Sequence, residues 1–221
     1  MPRSPFRGVR KGLKGAAAQQ YHGRFDFAAI GACVDLVAPM DYDLTGSAPD
    51  GKAAAANSPL AIVAESVSEW TELGLPADKL LPLLPWYGYD MACRPGQQKT
   101  CEVQLPWAEN NHEVGFGFAW RMSKAAAVHG RDDDGSPWCD YQNATGWRRR
   151  IYYDDEVSIA RKVQMVARHG VAGVGTWTTD TLESLHSVAA AAPEVSSMWT
   201  ALWPRPAAAL KSDEPGDSYS P

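Results

Sequence analysis

Short apolar runs that begin and end abruptly dominate the hydrophobic pattern of this chain. Three of them stand out, and an aromatic residue follows each within three positions: Val34–Met40, Leu80–Leu84 and Val171–Thr176. A run of this length without alternation is typical of a strand that is buried on both faces of a parallel sheet. Polar and aromatic residues at the carboxyl ends of such strands are where parallel barrels build their pockets. The pattern therefore predicts a pocket at one edge of a parallel sheet.

The residues that follow the runs carry the candidate chemistry. Tyr42 and Asp43 follow the first run, and Trp177 follows the third. Trp86 and Tyr87 lie just beyond the second run. Flat aromatic rings with a polar edge suit stacking on a sugar, and a phenol donates a hydrogen bond without adding charge. The strand ends therefore predict a carbohydrate pocket, with core packing as the alternative for any single aromatic residue.

Helical patterns separate the runs. The spacing of apolar residues predicts a helix over Pro59–Leu73, with Ser58 as its N-cap and Gly74 as its stop. A later helix is predicted to begin at Asp154 or Asp155. Strands that alternate with helices predict the α/β class, built from βα units.

The segment between the second and third runs interrupts this alternation. From Met91 to about Arg150, the sequence predicts loops and one β-hairpin, with Arg148–Arg150 on a solvated part of it. A last helix is predicted over Thr181–Ala191. A closed eight-stranded barrel typically needs about 250 residues, so the three visible units predict only part of one.

Composition narrows the range of functions. The chain has 221 residues, of which 45% are hydrophobic and 21% charged, and a net charge of −5, which disfavours a nucleic-acid partner. No stretch approaches the about 18 apolar residues of a membrane span. The histidines lack paired ligand spacing, and the acidic run Asp132–Asp134 lacks the glycine and glutamate of a calcium loop. No metal or cofactor is predicted, and the oligomeric state stays open.

The two ends of the chain differ from its centre. Residues 1–24 are basic and lack the apolar core of a secretory signal, which predicts a flexible arm, with a transit peptide as the alternative. Residues 204–221 are rich in Pro, Ala, Ser and Asp, which predicts a disordered tail. Residues 25–203 are the predicted folded part.

Cysteines and one asparagine indicate an oxidising compartment. Cys93 and Cys101 bracket a short polar loop, and a disulfide between them is expected. Closing so short a loop stabilises a fold by roughly 2–3 kcal/mol. Asn143 begins an Asn-Ala-Thr triplet, an acceptor for N-glycosylation. Whether Cys33 and Cys139 pair is left open.

Several of these segments together resemble family 18 of the glycoside hydrolases. Met40-Asp41-Tyr42-Asp43 is similar to the signature of the sixth barrel strand, and Pro85–Gly88 and Gly173–Trp177 are similar to the seventh and eighth. Trp86–Asp90, followed by the two cysteines, resembles the chitobiase-like members of the family. The resemblance covers roughly residues 25–200. It implies a partial TIM (β/α)8 barrel with about the last three βα units and an insertion between strands seven and eight.

The resemblance also implies a reaction and roles for residues. The reaction is retaining hydrolysis of β-1,4-linked N-acetylglucosamine, in which the acetamido oxygen of the substrate is the nucleophile. Tyr42 would hydrogen-bond the acetamido group, and Asp43 would bind a sugar hydroxyl or support that geometry. The remaining substrate-binding residues would form the floor and walls of the pocket: Trp177, Met40, Trp86 and Tyr87.

One family motif is absent from this sequence. The Asp-x-x-Asp-x-Asp-x-Glu pattern, whose last residue is the general acid in the family, does not occur. We therefore expect the chain alone to be inactive, and a truncated, split or degenerate gene would each give such a sequence. The alternatives are a carbohydrate-binding protein without catalysis and a non-functional fragment. The resemblance further implies N-acetylglucosamine oligosaccharides as partners and a lysosomal or extracellular location.

Overall fold

The computed structural model describes residues 25–44, 52–96, 100–104, 106, 110–183 and 193–203. The predicted arm and the predicted tail lie outside the described residues, and so do residues 184–191 of the last predicted helix. Within the described part, helices and strands are mixed along the chain.

The three apolar runs lie side by side in parallel. Strand β1 (Leu83–Pro85) pairs with strand β7 (Gly175–Trp177). The first run joins the central run from the other side through the bridges Val37–Leu80 and Met40–Leu83. The ladder reaches the carboxyl ends, where the Trp86 N–H donates to the Trp177 carbonyl at 2.7 Å. All three runs therefore end at the same edge of the sheet, as predicted.

Burial differs between the central run and its neighbours. Leu80 and Leu84 are fully buried, whereas Leu36 in the first run is 53% exposed and Val171 and Val174 in the third are half-buried. The expectation of burial on both faces is thus wrong for the outer runs, and it holds for only one face of the central run, where Leu81 and Leu83 are half-buried. The reason is that each outer run has a sheet neighbour on one side only among the described residues.

An apolar groove lies beside the third run. It has a volume of about 490 Å³ and is formed by Val171–Val174, helix α4 (Glu156–Ala167) and the end of helix α6 (Pro193–Ala201) with the residues after it. Trp199 and Trp203 line it and are 47% and 74% exposed. These indoles do not belong to any predicted site.

Helices α1 (Phe27–Cys33) and α2 (Leu60–Glu72) precede the central run. Helix α1 was not predicted, and it is capped by Asp26. Helix α2 ends before Gly74, whose φ of +97° is the left-handed conformation that favours glycine, so this stop is confirmed. The predicted N-cap is wrong, because the Ser58 hydroxyl instead donates to the Asp41 carbonyl at 2.6 Å. The side chains that α2 buries are Val63, Ser66, Val67 and Trp70.

Helix α4 confirms one of its two predicted caps. The Asp155 carboxylate accepts the Ser158 N–H, and the Ser158 hydroxyl accepts the Asp155 N–H, which forms a capping box. Asp154 instead pairs with Lys162 in an ion pair with an Nζ–Oδ1 distance of 2.5 Å, and both side chains are almost fully buried. Helix α4 packs against α2 and α6 through its apolar face: Ile159, Val163 and Val166.

The segment after β1 folds as a sheet of its own. Within the described residues it contains five antiparallel strands: Tyr87–Ala92 (β2), Asn111–Gly115 (β3), Val128–Arg131 (β4), Pro137–Gln142 (β5) and Arg148–Tyr152 (β6). Their order in the sheet is β3–β2–β6–β5–β4. Helix α3 (Phe116–Ala125) packs against this sheet. Strands β5 and β6 form a hairpin, whereas the rest of the sheet was predicted as loops.

Charged residues in buried positions explain why this sheet was missed. The expectation of a solvated Arg148–Arg150 segment is wrong, because Arg149 and Arg150 are each 8% exposed. Arg149 pairs with Asp90 at 2.8 Å, and Arg150 pairs with Asp140 at 2.7 Å. Polar residues inside a sheet remove the alternation of apolar and polar positions by which strands are predicted.

The end of the described chain is helical. Helix α5 (Asp180–Glu183) is the described start of the helix predicted from Thr181, and α6 buries Met198. None of the described helices is both long and apolar enough to cross a membrane.

Candidate functional site

A cluster of buried side chains lies where the parallel runs end and strand β2 begins. We call it the edge cluster, and its buried members are Tyr42, Ala54, Ala56, Tyr87, Tyr89, Met91, Cys93, Cys101, Val103 and Tyr152. Within the described chain, a separate and larger core fills the space among helices α2, α4 and α6.

Aromatic rings from all three strand ends meet at the edge cluster. The ring centroids of Tyr42 and Trp177 are 6.2 Å apart, and the ring planes differ by 18°, so the rings are stacked. Tyr87 contacts Tyr42 edge-on, at 6.1 Å and 72°. The structure thus brings together three of the predicted site residues, although they are far apart in sequence.

The stacked pair is accessible on the side of the indole. Trp177 is 44% exposed, whereas Tyr42 is 8% exposed. Burial, followed by the charge of Asp43, raises the pKa of Tyr42, so the phenol stays protonated at neutral pH. Its hydroxyl makes no hydrogen bond to another described residue. The pair therefore offers an open apolar surface and an unused O–H donor.

Asp43 is held in place by hydrogen bonds from separate segments. Its backbone lies in the left-handed region with φ of 62°, and its N–H donates to Asn57 Oδ1 at 2.7 Å. Its Oδ1 accepts from the Tyr87 hydroxyl at 2.5 Å and from the Tyr89 hydroxyl at 2.7 Å. Its Oδ2 has no hydrogen-bond partner among the described residues. One carboxylate oxygen is therefore fixed, and the other can accept a hydrogen bond from a ligand.

The two phenols that bind Asp43 are neutral donors. Burial, followed by the hydrogen bond to Asp43 and its charge, raises the pKa of Tyr87 and that of Tyr89 far above the usual tyrosine value. A phenol has one O–H proton, and each gives it to Asp43. Asn57 joins the arrangement by donating from Nδ2 to the Tyr87 carbonyl at 3.2 Å.

A buried carboxyl group lies beneath this site. Asp41 is 2% exposed, and its Oδ1 accepts from the Ser66 hydroxyl of helix α2 at 2.6 Å. Its Oδ2 is buried without a hydrogen-bond partner among the described residues. Burial raises the pKa of Asp41 to about 7, and the Ser66 hydrogen bond opposes part of that rise. The chain just before Tyr42 is thus fixed to helix α2 by a group that titrates near neutrality.

The remaining predicted pocket residues lie in different places. Met40 is half-buried and packs against the edge cluster. Trp86 is fully buried in the larger core, where its ring contacts Trp199 edge-on at 4.7 Å. Consecutive residues of an extended chain point to opposite faces, so Trp86 and Tyr87 diverge. The prediction that Trp86 forms a wall of this pocket is corrected accordingly.

Three residues of the site were not predicted: Asp41, Asn57 and Tyr89. Tyr89 follows Tyr87 at the two-residue spacing of a strand face, so a predicted strand there would have revealed it. Nothing in the sequence marks Asn57, which lies 14 positions beyond Asp43. The described residues contain no group of three or more His, Cys, Asp or Glu side chains that could hold a metal ion.

The cysteine and glycosylation predictions concern the surroundings of the site. The Cys93–Cys101 disulfide is confirmed, with the Cα atoms 4.8 Å apart, and it packs in the edge cluster. Cys33 is exposed and Cys139 is buried, and both are free. The Asn143 carboxamide oxygen accepts hydrogen bonds at the tip of the β5–β6 hairpin, including one from the Thr145 N–H at 3.1 Å. Its glycosylation stays a prediction.

Comparison with known proteins identifies the family. The sequence model that describes the family “Glycosyl hydrolases family 18” matches residues 10–181 of this chain. This match covers most of the chain, which therefore belongs to family 18 of the glycosyl hydrolases, in agreement with the resemblance drawn from its motifs.

Particular relatives refine this comparison. The di-N-acetylchitobiase of Rattus norvegicus is 26% identical in an alignment of 191 residues that covers 82% of this chain and 52% of the rat protein. YKL-39, solved in the presence of chitooligosaccharides, has a TM-score of 0.63 at 18% identity and covers 80% of this chain and 52% of its own. A chitinase from Trichuris suis has a TM-score of 0.62 at 20% identity, and the match covers 84% of this chain and 55% of the Trichuris protein. The chain thus spans about half the length of the relatives it matches.

Proposed function

We propose that this chain forms the substrate-facing part of a glycosidase that acts on β-1,4-linked N-acetylglucosamine, as in chitobiose and chitin oligosaccharides. The stacked Tyr42–Trp177 pair beside the fixed Asp43 carboxylate is the observation that carries the proposal. An exposed indole offers a floor for a sugar ring, and the two polar groups match an acetamido substituent. The name of the rat relative and the chitooligosaccharides of the YKL-39 structure support this choice of sugar.

The proposed reaction uses the substrate's own acetamido group. Its carbonyl oxygen attacks the anomeric carbon as the glycosidic C–O bond breaks, and the leaving oxygen takes a proton from the general acid of the full-length parent. Water then opens the cyclic intermediate from the opposite face, so the anomeric configuration is retained. The free Tyr42 hydroxyl donates to the acetamido oxygen and holds it beneath the anomeric carbon. Asp43 Oδ2 accepts a hydrogen bond from the sugar, and Met40 and Tyr87 line the pocket.

We place the chain in the last three βα units of a (β/α)8 barrel, with the antiparallel sheet inserted between the seventh and eighth strands. The parallel order of the three runs supports this placement. The half-exposed apolar residues of the outer runs, such as Leu36 and Val174, also support it, because further strands would cover them. The roughly twofold greater length of the rat relative agrees.

We infer that the full-length parent hydrolyses this bond and that the chain alone does not. The support is that Asp-x-x-Asp-x-Asp-x-Glu does not occur in the sequence. Loss of a general acid typically lowers a rate by about 10²–10⁴-fold. A lysosomal or extracellular location is part of the proposal, and the Cys93–Cys101 disulfide supports an oxidising compartment.

A carbohydrate-binding protein without catalysis is the second candidate. This candidate is favoured because the chain has the stacked pair and the oriented Asp43 carboxylate but lacks the motif of the general acid. Measuring binding and cleavage of N-acetylglucosamine oligomers by the full-length parent distinguishes the two, because cleavage supports the first candidate and binding without cleavage supports the second. Cleavage by the chain itself would contradict both the inferred inactivity and this second candidate. If the chain shows no binding and no cleavage, it is a non-functional fragment.

Replacing Trp177 tests the proposal against a matched control. Trp177→Ala should weaken binding of tri-N-acetylchitotriose by about tenfold, since stacking on an aromatic ring contributes up to about 1.5 kcal/mol and each 1.4 kcal/mol is a factor of about ten. Trp147→Ala is the control, because this indole is 43% exposed at the hairpin tip, against 44% for Trp177. Isothermal titration calorimetry measures both. Equal affinities for the two variants would refute the role of Trp177.

A further inference from the structure

The resemblance to the family assigns no role to Tyr89, yet its hydroxyl lies 2.7 Å from Asp43 Oδ1. The side chain is 7% exposed and comes from the inserted sheet, so it reaches the strand ends from a different part of the fold. Its hydroxyl is also 3.4 Å from Oε1 of Glu113 on the neighbouring strand β3. The single O–H proton serves the shorter contact, which is the one to Asp43.

We propose that Tyr89 is a positioning residue that fixes the Asp43 carboxylate for sugar binding, a role that rests on the proposed function. A carboxylate with one donor on Oδ1 can turn about its Cβ–Cγ bond and exchange its two oxygens. Two donors on Oδ1, together with the backbone held by Asn57, fix the carboxylate plane. The position of Oδ2, which has no hydrogen-bond partner among the described residues, is then fixed as well. A sugar N–H or O–H donor binds at that oxygen.

The geometry gives Tyr89 a part that Tyr87 alone does not supply. Tyr87 lies in the edge cluster beside Tyr42, so its hydroxyl reaches Asp43 from the side of the stacked pair. Tyr89 follows two residues later on the same face of β2, and its ring contacts Tyr87 at 5.9 Å. The inserted sheet thereby sets the orientation of a group at the end of the first apolar run. The sheet contributes to recognition of the sugar through Asp43.

A substitution at Tyr89 has a matched control in the same sheet. Tyr89→Phe removes one donor and keeps the ring. Tyr141→Phe removes a phenol that donates to another carboxylate, Asp90 Oδ2, at the same distance of 2.7 Å. Asp90 is paired with Arg149 and takes no part in the edge cluster. A purely structural effect of losing such a hydrogen bond appears in both variants.

The experiment measures the affinity for tri-N-acetylchitotriose by calorimetry, with thermal unfolding recorded for every variant. Tyr89→Phe should weaken binding by about tenfold, because a hydrogen bond to a charged group is lost from the positioning of Asp43. Tyr141→Phe should leave the affinity within about twofold of the wild type. In an Asp43→Asn background, Tyr89→Phe should have less than about a twofold effect, since its role passes through that carboxylate. Tyr87→Phe serves as the second donor variant if Tyr89→Phe does not fold.

The outcomes separate this inference from the proposed function. If the wild type binds the sugar and Tyr89→Phe binds it with unchanged affinity, the positioning role is overturned and the proposed function is not. The same holds if Tyr89→Phe and Tyr141→Phe lose affinity equally. An undiminished effect of Tyr89→Phe in the Asp43→Asn background also overturns it. A wild-type chain that folds and binds no tri-N-acetylchitotriose overturns the proposed function, and the positioning role with it, before any variant is compared.

Discussion

Replacing Asp41 by asparagine removes a buried carboxyl group whose pKa is raised to about 7 from the ordinary 3.8. In the unfolded chain this group ionises near pH 4, whereas in the folded chain it keeps its proton until about pH 7. Between these values the folded state binds more protons, so the stability that Asp41 contributes falls as pH rises. Below about pH 4 the group is protonated in both states, and above about pH 7 the loss is complete.

The size of this effect follows from the same pKa change. A change of one pKa unit corresponds to about 1.4 kcal/mol, so a rise of about three units corresponds to roughly 4 kcal/mol. Asn has nearly the same shape and keeps an oxygen that can accept from the Ser66 hydroxyl. The stability of Asp41→Asn relative to the wild type should therefore increase by about 4 kcal/mol between pH 4 and pH 8. A constant offset from the new amide N–H group, which lacks an acceptor, does not change with pH.

Urea unfolding followed by tryptophan fluorescence measures this difference at several pH values. Asp35→Asn is the control, because it removes an exposed carboxylate from the same run. The difference in stability between Asp41→Asn and the wild type should be constant below about pH 4 and should change by about 4 kcal/mol between pH 4 and pH 8. A stability difference that stays constant over this range would refute the assignment of a buried, protonated Asp41.

Further predictions concern the ion pair, the disulfide and the two site aromatics. Lys162→Met leaves Asp154 buried without its ion-pair partner and should lower the free energy of unfolding, measured in urea, by about 3–5 kcal/mol. Adding Asp154→Asn to this variant should restore part of the loss. Replacing Cys93 and Cys101 by alanine should lower it by about 2–3 kcal/mol, and a reductant should then have no further effect. Trp177→Ala and Tyr89→Phe should each weaken sugar binding by about tenfold in calorimetry, unlike Trp147→Ala and Tyr141→Phe.

Local signals in the sequence were sufficient for much of the parallel part. The apolar runs indicated where strands end, and Gly74 and Asp155 marked helix ends because a left-handed turn and a capping box require those residue types. The short spacing of Cys93 and Cys101 predicted their disulfide. The aromatic residues at the strand ends were found for the same reason, since parallel strands bring their carboxyl ends to one edge.

Contacts between distant segments limited the rest. The inserted sheet buries paired charges such as Arg149 with Asp90, so its strands do not show an apolar face in sequence. Tyr89 and Asn57 act through hydrogen bonds to Asp43 that depend on two different segments meeting. Trp86 was assigned to the pocket by the resemblance to the family and by its place at a strand end, but the alternation of an extended chain points it into the core.

Binding of an amino sugar on the exposed face of Trp177 is most directly tested by nuclear magnetic resonance of the indole N–H groups. The chain has nine tryptophans, and each indole N–H gives its own resonance in the ¹⁵N-labelled protein. Titration with tri-N-acetylchitotriose therefore measures the chemical-shift change of each indole separately. We expect the largest shift at the resonance that disappears in Trp177→Phe, and a weaker response in Tyr42→Phe. Shifts confined to Trp199 and Trp203 in the apolar groove, or no shift at saturating sugar, would contradict the account.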